Sequence, residues 1–255
     1  MMNMTETVKQ LLIINILFYI GANIVGDPAY TILSEYFPEN PDFKFWQPLT
    51  AMFMHAQFKY GGIMHILFNM IALVSFGSLL ERMWGGKKFL FFYISAGLGA
   101  AALHIGINYI SFYKGLEILE ASGFEKAQVL QILAEGKFSP QWEQLMTPSQ
   151  YSSFMQAYFR PAVGASGAIY GLLVAFAMIA PNAELMLMFI PIPIKAKYFV
   201  PGLLAVDLFL GLKGNSIFGS GGSGIAHFAH IGGALVGFIM MWYWKKNSFN
   251  NKRWN

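Results

Sequence analysis

Cysteine is absent from this chain of 255 residues, and charge is scarce at 12% of positions. A soluble domain usually carries about twice that share of charged residues. Without cysteine there is no disulfide framework, no thiolate nucleophile and no Cys-bound metal. The shortage of charge excludes an ordinary water-soluble enzyme, a disordered chain, and a nucleic-acid binder built on basic patches. Histidine is also sparse, with five in the whole chain, so the placement of each one carries information. What fills the sequence instead is apolar: 56% of residues are hydrophobic and the mean hydropathy is +0.48. This is the composition of an integral membrane protein, and its first partner is the lipid bilayer.

A helix that crosses a bilayer needs roughly 20 predominantly apolar residues. Charges fence off six such runs, at about 8–26, 60–82, 88–113, 161–182, 196–213 and 225–245, read against that ~20-residue requirement. The expected fold is therefore an all-α membrane protein, a six-helix bundle forming one domain over 1–255. Six spans put both termini on one side. The terminal segments and even-numbered loops hold ten basic residues, among them Lys9, Arg82, Lys87, Lys88, Lys195 and Lys245, against Glu6, Glu81 and Glu184. The other side holds seven basic and nine acidic residues, so the excess of Lys and Arg predicts cytoplasmic termini. The first run lacks a small-residue cleavage site and reads as a signal-anchor. The compact chain suggests a multi-pass protein of a bacterial inner membrane.

Between the spans, residues 27–59 carry Trp46, Phe53 and Met54 and suit the membrane interface. Residues 114–160 mix both charge signs with helical spacing, and read as an extracytoplasmic helical insertion between spans three and four. The run 185–194, with Pro191 and Pro193, reads as an interfacial connector. No internal repeat is visible.

Polar groups at membrane depth are costly, so each one is a candidate for function. They are His65, Asn69, His104, Ser166, Tyr170, Asp207, His227 and His230. His65 and Asn69 are spaced i, i+4 and share one helical face, either as interhelical glue or as donors to a developing anion. Pro161 and Gly164 suit a helix start, taken near Pro161, which brings Ser166 close to the unpaired N–H groups of a first turn. Tyr170 shares the face of Ser166. Gly167, Gly171 and Ala175 on span four, and Ala229, Gly233 and Gly237 on span six, form matching stripes of small residues. His227 and His230 are spaced as a metal pair could be, with His65 as a third ligand, but no carboxylate lies close in sequence and metal is not expected. A nucleophile needs a base and oxyanion donors, and Ser166, His230 and the pair His65/Asn69 supply these without an acidic third member. Asp207, midway along a short fifth span, is expected to bond a neighbouring helix or face a wet cavity. His227, one turn shallower than His230, is expected at the aqueous rim.

In these motifs the chain resembles the rhomboid family of intramembrane serine proteases. His65-x-x-x-Asn69 opens span two, Gly164-Ala165-Ser166-Gly167 opens span four, and Ala229-His230-Ile-Gly232-Gly233-x-x-x-Gly237 lies in span six. Trp46 and Phe53-Met54-His55-Ala56 fit as well. The resemblance implies Ser166 as nucleophile, His230 as general base with Tyr170 stacked on it, and an oxyanion hole of His65, Asn69 and the Ser166 N–H. It implies Gly164 and Gly167 as supporting residues, 27–59 as a membrane-embedded hairpin, and the Gly-rich 214–224 as a mobile cap. Transmembrane proteins would be the substrates, cut in or near their helices, with no cofactor, metal or nucleic acid. Where the family often has Trp-Arg this chain has Trp46-Gln47, a departure that bears on loop anchoring. The alternative is a catalytically inactive relative that binds membrane clients. A transporter, or a metal-dependent membrane hydrolase, stays open on the residues alone.

Overall fold

The computed structural model describes residues 4–187, 190–213 and 225–250. Its helices in chain order are α1 (Glu6–Val25), α2 (Asp27–Leu33), α3 (Gln47–Thr50), α4 (Gly62–Ala72), α5 (Ser78–Trp84), α6 (Gly86–Ala121), α7 (Lys126–Ala134), α8 (Pro140–Leu145), α9 (Pro148–Phe159), α10 (Ser166–Ile179), α11 (Ala196–Lys213) and α12 (Ile225–Asn250). A π-helical stretch, Leu73–Gly77, joins α4 and α5 into one rod. Among the described residues, Glu6–Val25, Gly62–Trp84 and Gly86–Ala121 are long and apolar enough to cross a membrane, and α10 is a shorter apolar helix.

Local chemistry sets the breaks. Gly26 and Gly85, at φ +78° and +79°, take backbone conformations that side-chain-bearing residues resist, and they end α1 and α5. Glu81 caps α1 from across the bundle, accepting from the Thr5 hydroxyl and from the N–H groups of Thr7 (3.0 Å) and Val8 (2.9 Å). Its carboxylate meets the positive end of that helix.

Two features go beyond the sequence reading. The helix that carries the third span continues past residue 113, to Ala121. At 36 residues α6 is about 54 Å long at 1.5 Å per residue, well beyond a ~30 Å hydrocarbon core. Its C-terminal part is the wall on which the insertion packs. Trp142, Phe154 and Tyr158 bury themselves against Phe112, Leu116 and Phe37 in a second apolar core. Phe154 packs on Gly115 of α6, where a Cβ would sit 2.5 Å from the ring. The stretch 185–194 is also not a plain connector. It forms an antiparallel hairpin, β1 (Glu184–Leu187) with β2 (Ile190–Lys195), so the fold is helical but for one ribbon.

The main core is built around α10, which is buried on nearly all sides between α6 and α12. Small residues make this possible. A Cβ on Gly233 would lie 1.9 Å from the Gly167 carbonyl oxygen, and one on Gly237 would lie 2.7 Å from Gly171 Cα. On the other side of α10, Gly167 and Gly171 receive Ala100 and Ala96 of α6. The two small-residue stripes read from the sequence therefore face one another, backbone against backbone. That contact fixes the register of α10 against α12 next to Ser166.

Candidate functional site

Ser166 is the first residue of α10. The helix does not start near Pro161, as expected from the proline. Residues before Ser166 are held by the first loop instead: Glu35 and Ala162 exchange backbone hydrogen bonds of 3.0 and 2.8 Å, and the Gly164 N–H donates to Ala51 O at 2.9 Å. These bonds commit the segment to an extended path, and Gly164, at φ +134°, makes the turn into the helix. The N–H groups of the first turn, Ser166 included, have no acceptor within the helix.

The loop that clamps this segment is itself tied down by the Gln47 departure. Gln47 is fully buried; its amide donates to Thr31 O (3.0 Å) and Asp42 O (2.8 Å) and accepts from the Tyr36 N–H (3.2 Å). Trp46 Nε1–H donates to Ile32 O at 3.0 Å. Four short helical pieces lie in this region, α2, α3 and two 3₁₀ turns at Ala51–Phe53 and Phe58–Tyr60.

Across 64 positions of sequence, Ser166 Oγ and His230 Nε2 meet at 2.9 Å. The Tyr170 ring stacks on the His230 imidazole, with centroids 4.2 Å apart and planes 11° from parallel. His65 comes to the same place from α4. Its Nδ1 accepts the Ala56 N–H at 3.2 Å, which leaves the proton on Nε2. That Nε2 borders Gly164, where a Cβ would lie 3.1 Å from it and 3.5 Å from Ser166 Oγ. Asn69, a turn further along, is buried and donates one amide N–H to His65 O at 2.8 Å. Its described hydrogen bond is thus to its own helix, with a second N–H left for another acceptor. Gly167, next to Ser166, lies in the close contact with α12 and α6. The 214–224 cap lies outside the described residues.

Asp207 bonds the neighbouring helix α12, as expected, but the expectation for α12 itself is overturned: His227 is not at a rim but buried, at 5% exposure. It is in hydrogen-bond contact with Asp207, whose second oxygen, Oδ2, lies 3.4 Å from His230 Nδ1. Asp207 therefore reaches His230, and its side chain is 3% exposed. Sequence reasoning missed this because nothing in the spacing of α11 and α12 tells which of their faces meet. The donor atoms of Asp207, His227 and His230 all lie within 4.8 Å of one another, so among the described residues these three, without His65, form the set that could hold a cation. His230 Nε2 is already committed to Ser166.

The remaining polar residues belong to the surroundings. His55 is wholly buried, edge-on to His65 with ring centroids 5.1 Å apart, and burial holds its imidazole down at about 3, hence neutral. His104 lies 4.0 Å from Glu35 Oε1 and 3.1 Å from Asn108 Nδ2. Burial pushes the Glu35 carboxyl up to about 8.

Fold and site together define a helical membrane protein in which a serine at a helix start is bonded to a histidine on a neighbouring helix. The chain belongs to the rhomboid family: the family model described as Rhomboid domain matches residues 42–247. It is 27% identical over 196 residues to "Rhomboid protease GluP" of Bacillus subtilis (strain 168), covering 77% of this chain and 25% of that protein. It is 23% identical over 190 residues to "Rhomboid protein 1, mitochondrial" of Saccharomyces cerevisiae, covering 74% and 40%. Against "Presenilin-associated rhomboid-like protein, mitochondrial" of Homo sapiens it is 25% identical over 209 residues, covering 82% and 40%. The chain thus spans a quarter to two fifths of the length of these curated relatives.

Proposed function

We propose that the chain is an intramembrane serine endopeptidase that cleaves transmembrane proteins in or near their helices. Its six spans are α1, the α4–α5 rod, α6, α10, α11 and α12, with both termini cytoplasmic and the α7–α9 insertion on the opposite face. The observation that carries the reading is the 2.9 Å Ser166 Oγ–His230 Nε2 contact, joining two helices at a depth where an unused polar pair would be costly.

The chemistry follows from the atoms in place. Ser166 Oγ attacks the scissile carbonyl carbon as its proton passes to His230 Nε2. The carbonyl oxygen becomes an anion, received by the Ser166 N–H, His65 Nε2–H and the second amide N–H of Asn69. The C–N bond then breaks, the leaving amine takes the proton from His230, and the acyl group stays on Ser166. Water then attacks the acyl carbon as its proton passes to His230 Nε2, the Ser166 Oγ–acyl bond breaks, and His230 returns the proton to Ser166 Oγ. No cofactor or metal is required. The His230 side chain is 21% exposed, enough for substrate and water to reach it.

The test is covalent labelling by a serine-directed fluorophosphonate. Wild-type protein is expected to label and Ser166→Ala not to, with folding and membrane insertion unchanged. Absence of wild-type label would leave the client-binding alternative. The oxyanion donors are expected to share their load. His65→Ala and Asn69→Ala should each cost turnover of about 10²–10³ or less, the usual loss for one donor. Near-native turnover in the double variant would remove these two from the oxyanion site.

A further inference from the structure

The Asp207 carboxylate bridges two imidazoles of α12: Oδ1 contacts His227 Nδ1, and Oδ2 lies 3.4 Å from His230 Nδ1. We infer that Asp207 is a positioning residue for the Ser166–His230 pair: it holds His230 as the Nδ1–H tautomer and stabilises the imidazolium that forms when Ser166 is deprotonated, while His227 holds Asp207. This rests on the protease reading above and extends it from a pair to a relay of four residues on three helices.

The argument begins with the proton. For His230 to act as a base, its Nε2 lone pair must face Ser166 Oγ, and the 2.9 Å contact places it there. The single proton of the neutral ring then sits on Nδ1, and a buried N–H needs an acceptor. Neither His230 Nδ1 nor Asp207 Oδ2 has a well-formed hydrogen bond among the described residues, so each is the partner the other needs. At 3.4 Å the contact is a few tenths of an ångström beyond good hydrogen-bond length. Catalytic hydrogen bonds are often long before substrate binds and shorten as charge develops.

The carboxylate itself argues for a purpose. Its described partners are His227, His230 and Tyr170, with no lysine or arginine among them. An acidic side chain kept 3% exposed inside a bundle without a permanent cation is expensive as mere glue. It becomes worthwhile where a transient cation forms beside it. The groups facing His230 are Ser166 and Tyr170 from α10, Asp207 from α11, His227 from its own helix, and His65 from α4. Asp207 is the only acid of this set, so the charge felt by the protonated ring is set there.

The test compares Asp207→Asn, Asp207→Ala and Asp207→Glu in the whole chain, in micelles or liposomes, with kcat, KM and the pH–rate profile as readouts. Asparagine is isosteric but its amide N–H can donate to Nδ1 and force the wrong tautomer. We expect Asp207→Asn to lower kcat by about 10²–10⁴ with KM little changed, the upper figure being that of a buried triad aspartate. Asparagine should be at least as harmful as alanine, glutamate should recover part of the rate, and the acid limb of the profile should move to lower pH in both neutral variants. A structural role predicts the reverse order, with asparagine close to wild type and the limb unmoved. Asp207→Asn within about threefold of wild-type kcat would overturn the inference while leaving the protease reading intact. A wild type that neither labels nor cleaves would remove both. Nitrogen NMR of histidine-labelled wild type, with His230 assigned from His230→Gln, reads the tautomer even if the aspartate variants fail to fold; a proton on Nε2 would overturn the inference. So would activity lost on chelation and restored by zinc, which would assign the three donors to a metal.

Discussion

His230→Ala is expected to abolish proteolysis as completely as Ser166→Ala, a fall in turnover of about 10⁴–10⁶, whereas His227→Ala should keep measurable activity. The upper figure is what removal of either member of a serine–histidine unit costs in a well-studied hydrolase, and such losses do not add. His230 is the residue whose Nε2 touches Ser166 Oγ and whose ring stacks on Tyr170, so among the described residues it is the one placed to take the serine proton. His227 meets Asp207 instead, and its ring stands edge-on to His230 with centroids 6.4 Å apart. Its removal loosens the aspartate but leaves the base. The two variants and Ser166→Ala are to be compared on one transmembrane substrate at matched folding, together with the double variant Ser166→Ala/His230→Ala. Equal losses for His227→Ala and His230→Ala would show that the base has been misassigned.

The second large effect concerns stability. Gly233→Ala is expected to prise α12 from α10 and leave little folded protein. The added Cβ would stand 1.9 Å from the Gly167 carbonyl oxygen and 2.6 Å from its carbon, and both belong to helix backbone that no side-chain rotation can clear. Overpacking of a core by side chains usually costs about 1–3 kcal/mol. Here the helices themselves must separate, so the loss should lie at or above the top of that range. It should carry Ser166 away from His230 as well. Gly21→Ala is the control: it sits within α1 with nothing inside 4 Å of the new Cβ, and should be neutral or stabilising by about 0.5–1 kcal/mol. Thermal unfolding in detergent, read beside fluorophosphonate labelling, checks both. A Gly233→Ala protein that melts like wild type would mean that α10 and α12 are not packed backbone to backbone.

Particular residues show how far the sequence carries. Ser166, Tyr170, His65 and His230 were legible because polar side chains stand out against an apolar background, and because the bilayer makes each of them expensive. The facing glycine stripes were legible for a related reason: small residues repeated every fourth position have no use on a lipid-facing surface. The extent of α6 was not legible. Charges at Lys114 and Glu117 look like a span end, and only the aromatic core of Trp142, Phe154 and Tyr158 shows that the helix continues through them. Pro161 misled for a local reason. Proline suits a helix start, but here the chain's N–H and C=O groups at Ala162 are taken by Glu35, and the helix waits until Ser166.

Composition and spacing alone thus determined that this is a helical membrane protein and which polar residues could do chemistry, since both follow from the cost of moving charge and hydrogen-bonding groups out of water. The tertiary structure decided which of those residues meet. Asp207 and His227 are twenty positions apart on different helices, and Ser166 and His230 sixty-four. The rotation of α10 and α12 about their own axes is fixed by how Gly167, Gly171, Gly233 and Gly237 interlock, a contact between segments that neither segment specifies by itself.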